Sequence, residues 1–355
     1  MGSKPPVRAA LDRYRSILLV IALACIALLV AAMASAADKP FDDRSHTYED
    51  SMPVGAGASS RSDTHLSSIM WPRRGQAALV LGNAQPVASP YQQPVPIASV
   101  AKVMTALLTL TRYPLSAGQS GFVVTVTTAQ ARAEAEDAAQ GQSVVTVHGG
   151  EQLTERQLLE GLLIPSGNNI ARVLAGYVAG SDAQFVAYMN AEAKALGLEH
   201  TNYTDPSGWD PGTVSTAADQ LVVLRQAMRF SVFRQIVSME SVTLPAAGTL
   251  VNTNPVIADG FAGKTGSDSA AGACLAFFTY LTIGGHRLTA VGVVLGQWEQ
   301  DRASVDLAAA GAAAEDLVQS VTWAGRVPTI SASSGVGTRE PGGSGVPSPA
   351  VSGPG

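Results

Sequence analysis

Three short clusters of residues could do chemistry. The first is Ser99-Val100-Ala101-Lys102. On a helix, residues i and i+3 share a face, so Lys102 can reach the Ser99 hydroxyl while Val100 and Ala101 turn away. A serine hydroxyl is a poor nucleophile until a neighbour takes its proton. Lysine becomes that neighbour when its surroundings depress its pKa. A serine near a helix start also places its backbone N–H where an oxyanion would collect. The second cluster is Ser166-Gly167-Asn168, directly after Pro165, where a break between helices can aim a hydroxyl and an amide into a cleft. The third is Lys264-Thr265-Gly266, which we place on the leading part of the Ala273–Thr282 strand. In an extended segment Lys264 and Gly266 share one face and Thr265 takes the other. A glycine there lets a ligand approach the backbone closely.

Each cluster alone also fits a plain reading: a serine cap with a solvated lysine, a turn, a strand entry. Lysine usage weighs against it. Only five of the 23 basic residues are lysine: Lys4, Lys39, Lys102, Lys194 and Lys264. Arginine carries the general surface charge, and two of the three lysines in the folded part fall in the clusters. Only lysine can shed its proton on burial and serve as a base.

The elements that must position these residues follow from periodicity. Ala77–Leu81 reads as a buried strand, with a second short strand near Pro86–Ser89. Helices are expected over 99–110, from the capping box at Thr154 to about Leu163, and from Asn168 to Gly180. Others are expected from the Ser181 cap to Gly197, over 216–229 and over 302–319. Ala273–Thr282 and Arg287–Leu295, joined through Gly284-Gly285, form a hairpin. Strands at both ends with helices between predict one antiparallel sheet with helices packed on it, an α/β (α+β) domain over 72–326.

Composition excludes several classes. Charged residues are 14% and the formal net charge is −5, so no basic nucleic-acid-binding surface is indicated. Two cysteines, Cys25 and Cys274, exclude a disulfide framework and a cysteine-based zinc site. No histidine pair has the spacing that puts two metal ligands on one helix face. Basic residues precede an uncharged run, Ile17 to Ala37, that ends in Ala34-Ser35-Ala36. Residues 1–37 therefore read as a cleaved signal peptide or a retained membrane anchor, with the rest exported. Residues 38–71 have linker composition, and 327–355, poor in charge and rich in Gly, Ser and Pro, read as a disordered tail.

The ordered set of three clusters, 67 and 98 residues apart, is far more specific than any one of them. With it the chain resembles the D-alanyl-D-alanine carboxypeptidases, low-molecular-mass penicillin-binding serine peptidases. Leu196-Gly197-Leu198, Thr201-Asn202-Tyr203, Pro206-Ser207-Gly208, Ser215 to Asp219 and Asn252-Thr253-Asn254 add to the likeness. Departures are Ala101 before the lysine, where Thr is frequent, and the approach to the third cluster: many members read Asp-Gly-x-Lys-Thr-Gly, whereas here Gly263 abuts Lys264 and Asp259-Gly260 lies further upstream. Gly167 in the second cluster, and the absence of a following Glu-x-x-x-Asn, separate the chain from class A β-lactamases.

The resemblance implies a β-lactamase/transpeptidase-like fold, an antiparallel sheet flanked by helices with a helical lobe. It implies acyl transfer on peptidoglycan stem peptides ending in D-Ala-D-Ala, with β-lactam antibiotics as inhibitors and no metal or cofactor. Ser99 would be the nucleophile, and Lys102, partly buried beside a second cation, the base. Ser166 would relay a proton, and Asn168 would hold the substrate amide. Lys264 would supply positive field, and Gly266 completes that motif. The backbone N–H groups of Ser99 and Ser267 would form the oxyanion hole, and Thr265 with Arg302 would receive the terminal carboxylate. An endopeptidase or β-lactamase on the same fold, or a non-catalytic wall-sensing protein, are the alternatives.

Overall fold

The computed structural model describes residues 69–298 and 305–324. The expected leader (1–37), most of the expected linker, the tail and Arg302 lie outside them. No helix among the described residues is long and apolar enough to cross a membrane.

Strand β1 (Gln76–Leu81) is followed by the short β2 (Val87–Ala88) and β3 (Val95–Pro96). A 3-10 turn over Ala98–Ala101 leads directly into α1 (Lys102–Arg112). Then come β4 (Val123–Thr125), α2 (Thr128–Ala139), β5 (Gln152–Thr154), α3 (Glu155–Leu163), α4 (Asn168–Ala179) and α5 (Asp182–Ala195). The chain continues through β6 (Val214–Ser215), α6 (Ala217–Ala227), α7 (Ser231–Val237), β7 (Ser241–Leu244) and β8 (Gly248–Val251). It ends with β9 (Ala262–Asp268), β10 (Gly272–Ile283), β11 (His286–Gln297) and α8 (Leu307–Ala324).

The sheet runs β2-β1-β11-β10-β9, and every pairing is antiparallel. It is covered on both faces. Ala78, Val80, Cys274, Ala276, Val291 and Val293 face the helical lobe, while Ala77, Leu79, Leu275, Phe277 and Val294 face α8. That explains why β1 is buried along its whole length and reads as a continuous apolar run. Helix α8 meets the sheet with Ala310, Ala314, Leu317, Val318 and Val321, an apolar stripe at helical spacing. Ile69 and Trp71, at the end of the expected linker, pack against the same layer.

On the other face, α1 is buried on every side from Lys102 to Leu110. It lies at the centre of the lobe, with α3, α4, α5 and α6 around it, and the hydroxyls of its buried Thr105 and Thr109 donate to the Pro206 and Thr105 carbonyls. The capping boxes at Thr154/Gln157 and Thr127/Gln130 set the starts of α3 and α2.

Three expectations change. Lys264-Thr265-Gly266 does not lead the Ala273–Thr282 strand but lies on its own edge strand, β9, paired with β10. The last helix spans Leu307–Ala324 rather than 302–319, because its sheet-facing stripe extends through Val321. Helices α2 and α7 and the β7–β8 hairpin were not expected at all. For α2 the signal was present as a capping box ahead of an Ala-rich run.

Candidate active site

Ser99 sits in the 3-10 turn that feeds the central helix, and Lys102 is the first residue of that helix. Their side chains meet: Lys102 Nζ lies 2.7 Å from Ser99 Oγ. The same nitrogen donates to Asn168 Oδ1 at 2.6 Å and to the Ser207 carbonyl at 2.9 Å. Lys102 is fully buried rather than partly so, because its helix is the core of the lobe. Burial first, then the nearby Lys264, pushes its pKa well below the usual lysine range; Arg172 lowers it further and Asp205 opposes. A neutral lysine has two N–H groups and one lone pair. In that form, with its two N–H groups given to Asn168 and Ser207, the lone pair would face the serine hydroxyl.

The turn itself is held in an uncommon conformation. Ala98 has φ of 45°, a left-handed value that costs a residue with a Cβ. Two glycines make room for it. A Cβ on Gly208 would lie 1.9 Å from the Ala98 carbonyl oxygen. A Cβ on Gly266 would lie 2.7 Å from the Ile97 oxygen and 3.0 Å from the Ser99 nitrogen. Gly266 is therefore needed for the close approach of β9 to the backbone that carries Ser99, where the sequence suggested approach of a ligand.

Register places Lys264 opposite Ala276 and Gly266 opposite Cys274, both on the lobe face of the sheet, as period-two spacing requires. Lys264 is buried, its Nζ donating to the Thr265 carbonyl at 2.8 Å. Burial lowers its pKa to about 7. Thr265 Oγ1 lies 2.6 Å from Thr253 Oγ1 and 3.5 Å from Lys264 Nζ. Ser267 is exposed, next along the edge strand and paired with Ala273.

Ser166 occupies the break between α3 and α4 at φ of 68°, a second left-handed residue with a side chain. Its Oγ is buried and has no protein hydrogen-bond partner. Asn168 opens α4. Expected to hold a substrate amide, it accepts from Lys102 here, and its Nδ2 donates to Gln142 Oε1 at 2.9 Å.

Sequence reasoning missed three supports. Asp205 Oδ1 accepts from the Ser207 N–H (2.7 Å), the Ser207 hydroxyl (2.5 Å) and the Gly208 N–H (2.8 Å). It thereby shapes the turn that offers the Ser207 carbonyl to Lys102. Gln142 backs Asn168. Asn169 clamps the backbone of Val145, accepting from its N–H at 3.0 Å and donating to its carbonyl at 2.7 Å. Asp-x-Ser-Gly at 205–208 is a recognisable side-chain-capped turn; Gln142 and Asn169 carry no local signal.

The double-covered antiparallel sheet, the helical lobe and the serine–lysine pair at its central helix define the penicillin-binding serine-enzyme fold. Among solved structures, a Streptomyces DD-transpeptidase superposes with a TM-score of 0.59 at 26% identity, covering 71% of this chain and 99% of that one. A putative penicillin-binding protein homologue of Mycobacterium tuberculosis gives a TM-score of 0.58 at 29% identity, covering 71% and 92%.

Residues 87–297 match the family profile of the D-alanyl-D-alanine carboxypeptidases, and the chain belongs to that family. D-alanyl-D-alanine carboxypeptidase DacB2 of Mycobacterium tuberculosis is 38% identical over 185 residues, 50% of this chain and 59% of the relative. A D-alanyl-D-alanine endopeptidase of Escherichia coli is 28% identical over 201 residues, 52% and 60%. The chain thus spans under two thirds of the length of these curated relatives.

Proposed function

We propose that this protein is a serine-type D-Ala-D-Ala carboxypeptidase that removes the terminal D-Ala from peptidoglycan stem peptides. The observation that carries the reading is the Lys102–Ser99 contact, with the other two Lys102 hydrogen bonds made to acceptors. Ser99 Oγ gives its proton to Lys102 Nζ and attacks the carbonyl carbon of the penultimate D-Ala. The backbone N–H groups of Ser99 and Ser267 take the negative charge that develops on the carbonyl oxygen. The C–N bond to the terminal D-Ala breaks as the proton held on Lys102 passes through the Ser166 hydroxyl to the leaving nitrogen, which leaves Lys102 neutral and Ser166 a hydroxyl again. Water then hydrolyses the ester on Ser99 and frees the enzyme.

Around these steps, Asn168 offers its second amide N–H to the substrate backbone, and Lys264 supplies positive field at the acidic end of the pH range. Thr265, with Arg302 on sequence grounds, receives the terminal carboxylate. The buried free hydroxyl of Ser166 and the edge position of β9 support this assignment. So does family membership, which also supports a wall-facing, extracytoplasmic site of action in a bacterium. Residues 1–37 would deliver the protein there.

Brief exposure to penicillin followed by peptide mapping tests the site: the expected product is a penicilloyl ester on Ser99. A label elsewhere, or none, overturns the assignment. Turnover then separates the reactions. D-Ala released from diacetyl-Lys-D-Ala-D-Ala supports the carboxypeptidase. Cleavage of cross-linked dimer alone would make it an endopeptidase, rapid penicillin hydrolysis a β-lactamase, and a label without turnover a sensor.

A further inference from the structure

The hydrogen bonds behind Asn168 run in one direction. Arg172 pairs with the Asp137 carboxylate. Gln142 Nε2 donates to Asp137 Oδ1 at 3.2 Å and to Gln140 Oε1 at 3.2 Å. Gln142 Oε1 accepts from Asn168 Nδ2 at 2.9 Å, and Asn168 Oδ1 accepts from Lys102 Nζ at 2.6 Å. Asp137, Gln142 and Asn168 are all buried. The orientation of each amide is therefore not free. An ionised carboxylate only accepts, so Gln142 must turn its NH2 toward Asp137 and its oxygen toward Asn168. Asn168 must then turn its NH2 toward Gln142, which leaves its oxygen for Lys102.

We propose that Gln142 is a positioning residue for acyl transfer: by fixing the amide of Asn168 it aims the Lys102 lone pair at Ser99. The inference rests on the serine-enzyme reading above. Without Gln142 nothing on that side distinguishes the two orientations of Asn168. In the reversed orientation Nδ2 faces Lys102, and the lysine lone pair accepts from Asn168 instead of from Ser99 Oγ. No covalent step changes; the fraction of enzyme with a usable base falls.

A reversed Asn168 also replaces an acceptor of the lysine ammonium by a donor, which disfavours the protonated form. The other groups facing Lys102 stay in place: Ser99 from the turn, Ser207 and Asp205 from the loop after α5, Lys264 from β9 and Arg172 from α4. Loss of Gln142 therefore has a two-part signature. The maximal acylation rate falls, and the acidic limb of its pH profile moves to lower pH. A merely structural role gives the first part without the second.

The test is the second-order rate of penicillin acylation of the whole chain from pH 5 to 10, with thermal unfolding in parallel. Gln142→Met keeps the length of the side chain and removes its amide. It is expected to acylate at least tenfold more slowly, with its acidic limb displaced downward. Gln142→Glu alone places two carboxylates together and is also expected to be slow. Adding Asp137→Asn gives back a donor next to the new carboxylate and an acceptor for Asn168, and is expected to raise the rate at least fivefold over the single variant.

Acylation of Gln142→Met within twofold of wild type overturns the proposal, and so does a loss with an unmoved acidic limb. If Gln142→Met fails to fold, the comparison of the Glu single variant with the double decides, and equal rates overturn it. A folded wild-type chain that takes up no penicillin overturns the serine-enzyme reading and this inference with it; a labelled wild type confines any failure to Gln142.

Discussion

The two ends of the helical lobe solve the burial of charge differently. At one end, the start of α1 and of α4, Lys102 is buried with a defined partner for every position on its nitrogen. At the other, where α1 and α4 finish, Glu155 is buried near Tyr177 and the backbone of Phe122, two residues whose rings pack with Tyr113. One of its carboxylate oxygens has no partner. Desolvation moves both groups toward neutrality: Lys102 far down, Glu155 up to about 7 against a single opposing hydrogen bond from Phe122. A shifted pKa is therefore not what distinguishes the chemical end. What distinguishes it is that the Lys102 nitrogen is fully partnered, by Ser99 Oγ, Asn168 Oδ1 and the Ser207 carbonyl, beside a turn held left-handed at Ala98.

The sharpest way to break this contrast is to keep the charge of Lys102 and remove its lone pair. Lys102→Arg is expected to slow penicillin acylation by about 10²–10⁴-fold, the usual worth of a general base, since arginine does not deprotonate in a protein. A rate within about threefold of wild type would make Lys102 only an electrostatic neighbour and erase the difference between the two ends.

Next in size come opposite pH dependences of stability. Lys264 has a folded pKa of about 7, depressed from 10.5. The stability associated with its neutral form is complete above 10.5 and is lost as pH falls through 7. Lys264→Met is thus expected to gain up to about 5 kcal/mol over wild type at pH 6 and about 2 kcal/mol at pH 9. Glu155 runs the other way, its folded pKa raised from 4.5 to about 7. Its contribution is complete below 4.5 and is lost as pH rises through 7. Glu155→Gln is expected to gain up to about 3 kcal/mol at pH 8 and under about 1 kcal/mol at pH 5, with acylation unchanged. Urea titrations at the two pH values check both signs; a gain for either variant that does not vary with pH removes the burial argument for that end.

How legible this was depends on the range of the interactions. Ser99, Lys102, Asn168 and the lysine of the third cluster come together from a helix-entry turn, two helix starts and a strand, where local spacing fixes direction. The hairpin of β10 and β11 and the capped starts of α3 and α5 were legible for the same reason. What was not legible is contact between segments distant in sequence. Gln142 reaches Asn168 across 26 residues, and Ser207 reaches Lys102 across 105. The edge placement of β9 is set by its pairing with β10, so Gly266 could be read only as a small residue. The structure shows it packed close against the backbone of Ile97, Ser99 and Val100.

Gly266→Ala forces a Cβ to within 2.7–3.0 Å of three backbone atoms in the turn that carries Ser99. Backbone cannot swing aside as a flexible side chain can, so β9 or the turn must shift. The expected cost is about 1–3 kcal/mol of stability, with acylation at least tenfold slower because small misplacements of reacting groups are expensive. A stable variant of normal rate would show that β9 does not brace the nucleophile.

The smallest effect belongs to the far end. Phe122 and Tyr177 stack with ring centroids 4.0 Å apart and planes 17° apart, and Tyr113 meets Phe122 edge-on at 5.0 Å. These rings pack at the opposite ends of α1 and α4 from Ser99 and Asn168, near Glu155. If that end serves stability alone, the two rings should be coupled to each other and to nothing catalytic. A double-mutant cycle of Phe122→Leu and Tyr177→Leu is expected to give a coupling of about 1 kcal/mol, the ordinary worth of an aromatic pair beyond its buried area. Acylation of the double variant should stay within about twofold of wild type. A fall in acylation larger than its loss of stability explains would mean that α1 and α4 transmit packing along their length, and that the two ends of the lobe are one mechanical unit.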